Sequence, residues 1–149
     1  MRVLGIDPGN TGAYVILEDG VPIEWDTMPT LVVGKNTRIN AAFLASVWRF
    51  ANIDKAIMEQ VSAMPGQGVT SMFTFGHAAG TVSGVLGALE IPVVMTTPQS
   101  WKKAAGLTGK DKDAARSLAI QMWPNWRDLD KKGKGQALAD AALIARYGA

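Results

Sequence analysis

The sequence predicts an α/β fold: a five-stranded mixed sheet, with three antiparallel strands plus two parallel ones, flanked by helices. The amino-terminal part of the chain contains three short apolar runs separated by turn residues, which is typical of an antiparallel meander. Beyond the meander, helical periodicity alternates with two further apolar runs, and a strand that follows a crossover helix commonly pairs in parallel. This order predicts one mixed-sheet domain over residues 1–149.

Composition is that of a single folded domain. A chain of 149 residues buries about two-thirds of its unfolded surface in one core, and a hydrophobic content of 48% excludes a disordered chain. No apolar run is long enough to span a bilayer. Residues 1–7 lack the basic start, apolar middle and cleavage site of a signal peptide. We therefore expect a soluble, cytoplasmic protein that does not associate with membranes.

The meander is predicted between residues 3 and 28. Its strands are expected over 3–7, 12–18 and 21–28. Asp19 and Gly20 form the turn into the third strand, because both residue types tolerate the backbone conformations that hairpin turns require. Pro29 and Gly34 mark residues 29–36 as an irregular connection out of the meander.

Helices and strands alternate after this connection. Apolar residues at helical spacing predict a helix over 39–50, with Asn36 or Thr37 as its cap. Strands are expected over 55–60 and 91–96, and the β-branched content of the second suits a buried position. The remaining helices are expected over 71–89, 100–105, 110–122 and 136–147.

The helix predicted over 71–89 is rich in small residues. Gly76, Gly80, Gly84 and Gly87 lie along it, and a glycine in a helix interior costs about 1 kcal/mol relative to alanine. Several such glycines imply compensation by close packing, supplied either by the sheet or by a second protomer.

Two carboxylates close apolar strand-like runs. Asp7 follows residues 3–6, and Glu59 follows residues 56–58. Adjacent parallel strands lie about 4.8 Å apart, so acids at their ends can share a divalent cation, and Asp140 in the last helix can complete the site. Asp at a strand end is also a common turn former. Glu is not, and a carboxylate beside an apolar strand is costly to desolvate, so the metal site is favoured.

The chain contains few other metal ligands. It has no cysteine and one histidine, so a metal would be held by oxygen, plus at most His77, which favours Mg²⁺ or Mn²⁺. His77 lies on the small-residue helix, where a lone histidine is more often a packed or surface residue than a ligand.

Positive charge is concentrated in the last third of the chain. Residues 1–99 carry five Lys or Arg against eight Asp or Glu, whereas residues 100–149 carry ten against five. Such a distribution is the footprint of a polyanion-binding surface, although a solvated lysine-rich surface produces it too. The candidate DNA contacts are Lys102, Lys103, Lys110, Lys112, Lys131, Lys132 and Lys134.

The tryptophans have two expected roles. Trp48 falls on the apolar face of its helix and is expected in the core. Trp101, Trp123 and Trp126 stand next to basic residues, and aromatic rings interleaved with cations can stack on unpaired bases. Hydrophobic anchoring of short helices is the favoured alternative for each of the three, and Trp101 is retained as a candidate DNA contact.

Four short strings of the chain match a known family. They are Gly5-Ile6-Asp7-Pro8-Gly9 with Thr11-Gly12, then Met58-Glu59-Gln60-Val61, then Pro98-Gln99-Ser100-Trp101-Lys102-Lys103-Ala104-Ala105-Gly106, and finally Ala139-Asp140-Ala141. In combination they resemble RuvC, the Holliday junction resolvase, especially its compact phage forms. The predicted order of elements is similar to that of the ribonuclease H-like fold, and the resemblance spans nearly the whole chain.

The resemblance implies a structure-selective endonuclease that resolves Holliday junctions or other branched DNA by metal-dependent phosphodiester hydrolysis. Asp7, Glu59 and Asp140 would bind two divalent cations and direct water at the phosphodiester, with Asp7 as the bridging ligand. The resemblance also implies a homodimer that forms through the helix 71–89.

The family has an apolar wedge that opens the junction centre, soon after the acid-bearing strand. In this sequence Ser62 and Ala63 occupy that neighbourhood. Met64 and Phe73 are the candidate substitutes, so the identity of the wedge stays open.

One position departs from the family pattern. The last helix of the family usually carries a second carboxylate one turn before the acid that Asp140 matches, and here Gln136 and Ala137 stand there. Three alternatives remain open: a three-carboxylate site completed by water, rescue by Asp128 or Asp130, or a weakened or inactive enzyme. The first is favoured. Gln136 can supply a neutral oxygen ligand, a poorer partner for a hard dication than a carboxylate.

Two other functions compete with nuclease activity. The missing carboxylate allows a non-catalytic protein that binds junctions without cutting them. The loop from Asp7 to Gly12, taken alone, also allows an actin-like nucleotide-binding module, but that superfamily needs two such domains and 149 residues supply one.

Overall fold

Seven strands and five α-helices make up the fold in the computed structural model, which describes residues 1–149. The strands are β1 (Arg2–Asp7), β2 (Ala13–Glu18), β3 (Val21–Thr27), β4 (Thr30–Val33), β5 (Asn36–Ile39), β6 (Lys55–Glu59) and β7 (Val93–Thr96). The helices are α1 (Ala41–Trp48), α2 (Val69–Ala88), α3 (Pro98–Ala104), α4 (Lys112–Met122) and α5 (Lys132–Tyr147), with a 3₁₀ helix at Arg127–Asp130 before α5.

Five of the strands form one mixed sheet in the order β3-β2-β1-β6-β7. β1 pairs antiparallel with β2, and β2 pairs antiparallel with β3, whereas β6 lies parallel to both β1 and β7. The predicted fold class is therefore confirmed. In the β1–β6 register Ile6 lies opposite Met58, so Asp7 and Glu59 are the next residues along two neighbouring parallel strands.

Helices cover both faces of the sheet. Side chains alternate between the two faces along a strand, so Leu4 and Ile6 of β1 enter a core that also contains Trp48 of α1 and residues of α2. On the opposite face, Val15 of β2 packs with Leu138 of α5. Trp48 is 1% exposed, which confirms its predicted place in the core.

α5 packs directly on β1. A Cβ atom on Gly5 would collide with the carbonyl oxygen of Ala141 and lie 2.8 Å from the backbone nitrogen of Ala145. The alanines on this side of α5 are buried and leave room for the same close approach. The contact between Gly5 and α5 brings Asp140, the neighbour of Ala141, to the end of the sheet where β1 terminates.

A β-hairpin occupies the region that was predicted to be an irregular connection. Strands β4 and β5 pair antiparallel, with Val33 opposite Asn36 around a turn in which Gly34 has a φ of +63°. Gly34 forms the turn of this hairpin, and Val32, Val33 and Thr37 around it are β-branched residues that favour strands. The following helix consequently begins at Ala41, and its N-cap is Asn40, whose side chain accepts a hydrogen bond from the Phe43 amide, rather than Asn36 or Thr37.

The strand β7 is exposed, contrary to the expectation of a buried position. It pairs only with β6, at the edge of the sheet, and Val93, Val94 and Met95 are 36%, 40% and 46% exposed. Its apolar composition was therefore a poor guide to burial, because an edge strand has a neighbour on one side only. Among the helices, none combines the length and the apolar character needed to cross a membrane.

Candidate active site

Asp7, Glu59 and Asp140 lie together at the carboxyl ends of the central parallel strands, and we refer to them as the acid cluster. Asp7 ends β1 and Glu59 ends β6, while Asp140 projects from α5, which packs on β1. The negative charges of Glu59 and Asp140 both act on Asp7. Three acids that are 52 and 81 residues apart in sequence thus share one electrostatic environment.

Burial and mutual repulsion disfavour the charged forms of two of these acids. The pKa of Asp7 is raised to about 8, mainly by burial and then by the charges of Glu59 and Asp140. Burial also raises the pKa of Asp140 to about 6, against the opposing effect of a hydrogen bond from Gln136. The ammonium group of Lys102 lowers both pKa values and is therefore close enough to act on both acids.

Neutral side chains donate hydrogen bonds to two members of the acid cluster. The indole Nε1 of Trp101 donates to Glu59 Oε2 at 2.7 Å. The amide Nε2 of Gln136 donates to Asp140 Oδ1 at 3.1 Å. Each bond leaves one carboxylate oxygen of its acceptor available. No hydrogen bond contributes to the pKa shift of Asp7.

The donor set fits a hard divalent cation. All three groups are carboxylates, the ligands that Mg²⁺ and Mn²⁺ prefer, and the four ion pairs of the structure involve none of them. Partly buried carboxylates without an ion-pair partner are costly, and a bound cation would remove that cost. The side chains do not converge on one point, since no three His, Cys, Asp or Glu side chains are placed to hold one ion together.

The side-chain amide of Gln136 is not turned as a metal ligand would be, because a ligand would direct its oxygen towards the acid cluster. Its amide nitrogen, rather than its oxygen, faces Asp140, as expected for an amide beside a carboxylate. The rescue alternative is not supported, because both upstream acids are engaged elsewhere. Asp128 accepts from Trp25 Nε1 at 2.8 Å, and Asp130 forms an ion pair with Arg127 at 2.7 Å.

Three of the candidate lysines surround the outer side of Asp140. Lys102, Lys110 and Lys112 line a cavity of about 240 Å³ together with Gln136 and Asp140. All three side chains are exposed, so their ammonium groups are available to an anion that approaches the acid cluster.

The other candidate lysines lie further from the acids. Lys103 is exposed on α3, and Lys131 and Lys132 are exposed at the start of α5. Lys134 is half-buried, with its Nζ 3.7 Å from Asp128 Oδ2. Since an α-helix rises 1.5 Å per residue, Lys132 lies about 12 Å along the α5 axis from Asp140.

A second cleft, of about 390 Å³, opens on the other side of Asp7. Its walls are the loop from Asp7 to Gly12 and the hydroxyl-bearing first turns of α2, at Thr70, Ser71 and Thr74. These hydroxyl residues are absent from the predicted site, although their spacing places them on one helix face. Asn10 in the loop donates to the Thr37 carbonyl of β5 at 3.0 Å, which ties the loop to the hairpin.

Trp101 is wrongly predicted as a DNA contact. Its side chain is 1% exposed and packs in a core cluster with Ile57 and Leu143, so its ring cannot stack on a base. For Trp123 and Trp126, the anchoring alternative is confirmed. Trp126 is buried, and both rings pack against the core between β2 and α5 that contains Val15 and Leu138. The centroids of the two rings are 6.0 Å apart. Two lysines follow Trp101 in sequence, and α3 turns the indole inward, as the favoured anchoring alternative predicts.

His77 and the candidate wedge residues lie on or before α2. His77 is exposed, with its ring 5.8 Å from that of Phe73. Met64 and Phe73 are 63% and 61% exposed, and Arg38 of the hairpin lies over the Phe73 ring. Both apolar side chains are thus accessible, and Phe73 lies on the same turns of α2 as the hydroxyl residues that line the cleft beside Asp7.

Sequence comparison finds one significant curated relative. No protein-family profile matches the chain. The chloroplastic Holliday junction resolvase MOC1 of Chlamydomonas reinhardtii is 33% identical over 85 residues, which are 56% of this chain. The match covers only 10% of the length of that relative.

Structural comparison matches the whole chain. RuvC of T. thermophilus in complex with a Holliday junction substrate superposes with a TM-score of 0.68 at 18% identity, covering 97% of this chain and 90% of that chain. A second Thermus thermophilus RuvC structure gives a TM-score of 0.61 at 19% identity, covering 97% and 91%. The Fowlpox virus resolvase in complex with Holliday junction DNA gives 0.58 at 15% identity, covering 98% and 94%.

These matches confirm the fold expected from the sequence. The chain has the ribonuclease H-like fold of RuvC, and the similarity extends over its full length. At identities below 20% the superpositions establish the fold, whereas the activity has to be argued from the residues of this chain.

Proposed function

We propose that the protein is a structure-selective DNA endonuclease that cleaves four-way or branched DNA by metal-dependent phosphodiester hydrolysis. The observation that carries this proposal is the acid cluster: Asp7 and Glu59 end adjacent parallel strands, and α5 brings Asp140 beside them. The fold shared with RuvC and the matched segment of a Holliday junction resolvase support branched DNA as the substrate.

Asp7, Glu59 and Asp140 would hold Mg²⁺ or Mn²⁺, with two ions per site, and Gln136 remains a proposed oxygen ligand that would have to turn its amide. A pair of bound divalent cations supplies an activated water and stabilisation of the leaving oxygen. Asp7, at the centre of the acid cluster, is the proposed bridging ligand. Burial and the neighbouring acids raise its pKa, and a cation held there would favour its ionised form.

The lysines next to the acid cluster can attract a DNA phosphate that the carboxylates would repel. Lys102, Lys110 and Lys112 present positive charge at the cavity beside Asp140. We assign these three residues to the phosphates nearest the scissile bond. Lys103, Lys131, Lys132 and Lys134 would contact the backbone further along the duplex, where charge neutralisation contributes affinity without sequence selectivity.

A homodimer through α2 would supply one active site for each of two strands of a junction. Gly76, Gly80, Gly84 and Gly87 lie on α2, and a Cβ atom at any of them would meet nothing within 4 Å. The chain itself therefore does not provide the close packing that these glycines suggest. A second copy of the chain is the proposed partner for this face.

A non-catalytic junction-binding protein is the second candidate. It is favoured by Gln136, which stands where the resemblance expects a carboxylate and turns its amide nitrogen to Asp140. Such a protein would keep the basic surface and the fold while binding cations too weakly for hydrolysis.

The test is cleavage of an end-labelled four-way junction with Mg²⁺, with Mn²⁺ and with EDTA. We expect paired nicks on opposing strands in either metal and none in EDTA. Asp7→Asn should abolish the nicks and keep junction binding, because binding depends mainly on phosphate contacts. A wild-type protein that binds the junction but never nicks it would establish the second candidate instead. Cleavage that survives in D7N would exclude the acid cluster.

A further inference from the structure

Trp101 connects the acid cluster to the core of the protein. Its ring is 1% exposed and packs with Ile57 of β6 and with Leu143 and Ile144 of α5. Its Nε1 nevertheless reaches Glu59 Oε2 at 2.7 Å. Most of the indole is thus fixed by packing, while its one polar atom touches a proposed metal ligand.

Local structure brings the indole to Glu59. Glu59 pairs with Thr96, the last residue of β7, and α3 begins two residues later at Pro98. The Thr97 side chain caps α3 by accepting from the Ser100 amide at 3.1 Å. Trp101 consequently stands on the first turn after the strand end that is paired with Glu59.

The hydrogen bond is not a general requirement for burying an indole in this protein. Trp48 and Trp126 are also buried, yet their Nε1 atoms have no partner. Of the three indoles that do donate, those of Trp25, Trp101 and Trp123, only the indole of Trp101 donates to a member of the acid cluster. A donor bonded to one carboxylate oxygen restricts the rotation of the carboxylate and leaves its other oxygen available to a cation.

The face of the same indole carries a cation. Lys102 Nζ lies 5.6 Å from the centroid of the Trp101 ring, a distance at which a cation–π attraction acts. Lys102 is also the lysine that acts on both Asp7 and Asp140. One rigid ring therefore contacts an acid through its edge and orients a cation over its face.

We propose that Trp101 is a positioning residue that holds one oxygen of the Glu59 carboxylate and keeps the other available to a divalent cation, with Lys102 kept beside the acids by the same ring. This role rests on the proposed metal-dependent function. Trp101 itself contacts neither the DNA nor the cation.

The test compares Trp101→Phe with Trp25→Phe as a matched control. Trp25 also donates its indole N–H to a carboxylate, at 2.8 Å to Asp128 Oδ2, but on β3, two strands away from β1. We expect W101F to raise the Mn²⁺ concentration for half-saturation about 10- to 100-fold, the usual effect of removing a residue that orients a metal ligand. Binding is followed by Mn²⁺ electron paramagnetic resonance on DNA-free protein. W25F should bind Mn²⁺ like the wild type.

A measurement on the unaltered protein covers the case in which W101F does not fold. The five tryptophan indole N–H groups give separate ¹H–¹⁵N signals, which can be assigned through their own side-chain correlations. On addition of Mg²⁺ we expect the Trp101 signal to shift and those of Trp25 and Trp48 to stay in place. A stationary Trp101 signal in protein that binds Mg²⁺ would overturn the positioning role.

The outcomes separate this inference from the proposed function. If W101F binds Mn²⁺ as tightly as the wild type and junctions are still cut, the positioning role is wrong and the nuclease stands. If W101F loses Mn²⁺ affinity and its wild-type parent binds metal without cutting junctions, the positioning role holds and the nuclease fails. A wild-type protein that binds no divalent cation overturns both.

Discussion

Gln136 and Asp140 face each other across one turn of α5, with Gln136 Nε2 donating to Asp140 Oδ1 at 3.1 Å. An i, i+4 pair of this kind lies on one side of a helix. Gln136, which stands where a carboxylate is expected, therefore donates a hydrogen bond to Asp140. This hydrogen bond opposes the rise of the Asp140 pKa that burial causes.

A carboxylate at position 136 should lower the stability of the metal-free protein and raise its affinity for metal. In Gln136→Glu the new charge would face Asp140, and a like-charged i, i+4 pair costs about 0.2–0.5 kcal/mol. The metal-free variant should unfold at slightly lower urea concentration. Its affinity for Mn²⁺ should rise about tenfold, because a hard cation prefers a carboxylate to an amide oxygen.

Gln136→Ala is the matched control for this change, since it removes the donor without adding charge. We expect Q136A to bind Mn²⁺ no more tightly than the wild type. If the glutamate variant also fails to gain affinity, the position does not belong to the metal site.

Asp7 should make the metal-free protein less stable as the pH rises. Its pKa is about 8 in the folded chain and 3.8 in the reference state, so the unfolded chain loses the proton first. A raised carboxyl pKa contributes stability below the unfolded pKa, and that contribution is lost as the pH rises towards 8. Asp7→Asn removes the titration, and in EDTA it should gain about 1–3 kcal/mol in the free energy of unfolding at pH 8.5.

The control for D7N is Glu24→Gln on the exposed strand β3, which should leave the pH dependence unchanged. Urea unfolding at pH 4.5 and pH 8.5 in EDTA provides the comparison. The gain from D7N should be smaller at pH 4.5, because that pH lies less than one unit above the reference pKa of 3.8 and little of the linked stability has been lost there. An equal gain at both pH values would contradict a raised pKa.

Several features of the acid cluster could be predicted from local sequence. Asp7 and Glu59 each follow an apolar run, and the alternation of helices and strands makes β1 and β6 parallel neighbours. An acid at a strand end can be recognised from sequence, because the apolar run and the acid that follows it lie within a few consecutive residues. Asp140 is the one acid in an alanine-rich helix, and the small residues around it are those that allow α5 to approach Gly5.

Contacts between distant residues could not be predicted in the same way. The hydrogen bond from Trp101 to Glu59 joins residues 42 positions apart and depends on the direction in which α3 leaves the sheet. The two lysines after Trp101 make it a candidate DNA contact beside the favoured anchoring role, whereas the short helix α3 buries Trp101 and exposes both lysines. The hairpin of β4 and β5 was missed because four-residue strands have little periodicity to detect.

Lys102 and Lys103 should contribute to the electrostatic part of junction binding. Each phosphate contact contributes about 0.9 to the slope of log affinity against log salt concentration. The double variant Lys102→Ala with Lys103→Ala should weaken junction binding at low salt and flatten this slope by about 1–2. Fluorescence anisotropy with a labelled junction at several KCl concentrations, in EDTA, measures both quantities.

Lys55→Ala is the control for the lysine variant, because Lys55 begins β6, at the opposite end of that strand from Glu59. It should keep the wild-type slope. If the lysine variant keeps that slope too, the two side chains face solvent and the DNA takes another path.

The open face of α2 leads to a prediction about oligomeric state. Nothing lies within 4 Å of a Cβ atom at Gly80, so Gly80→Glu can fold as a monomer without a clash. In a homodimer that packs through this face, the same carboxylate would be desolvated against the partner helix, which is costly. We expect the wild type to sediment as a dimer and G80E as a folded monomer by analytical ultracentrifugation. Ser117→Glu, on the exposed side of α4, should remain dimeric. A G80E variant that stays dimeric would place the subunit contact on another surface.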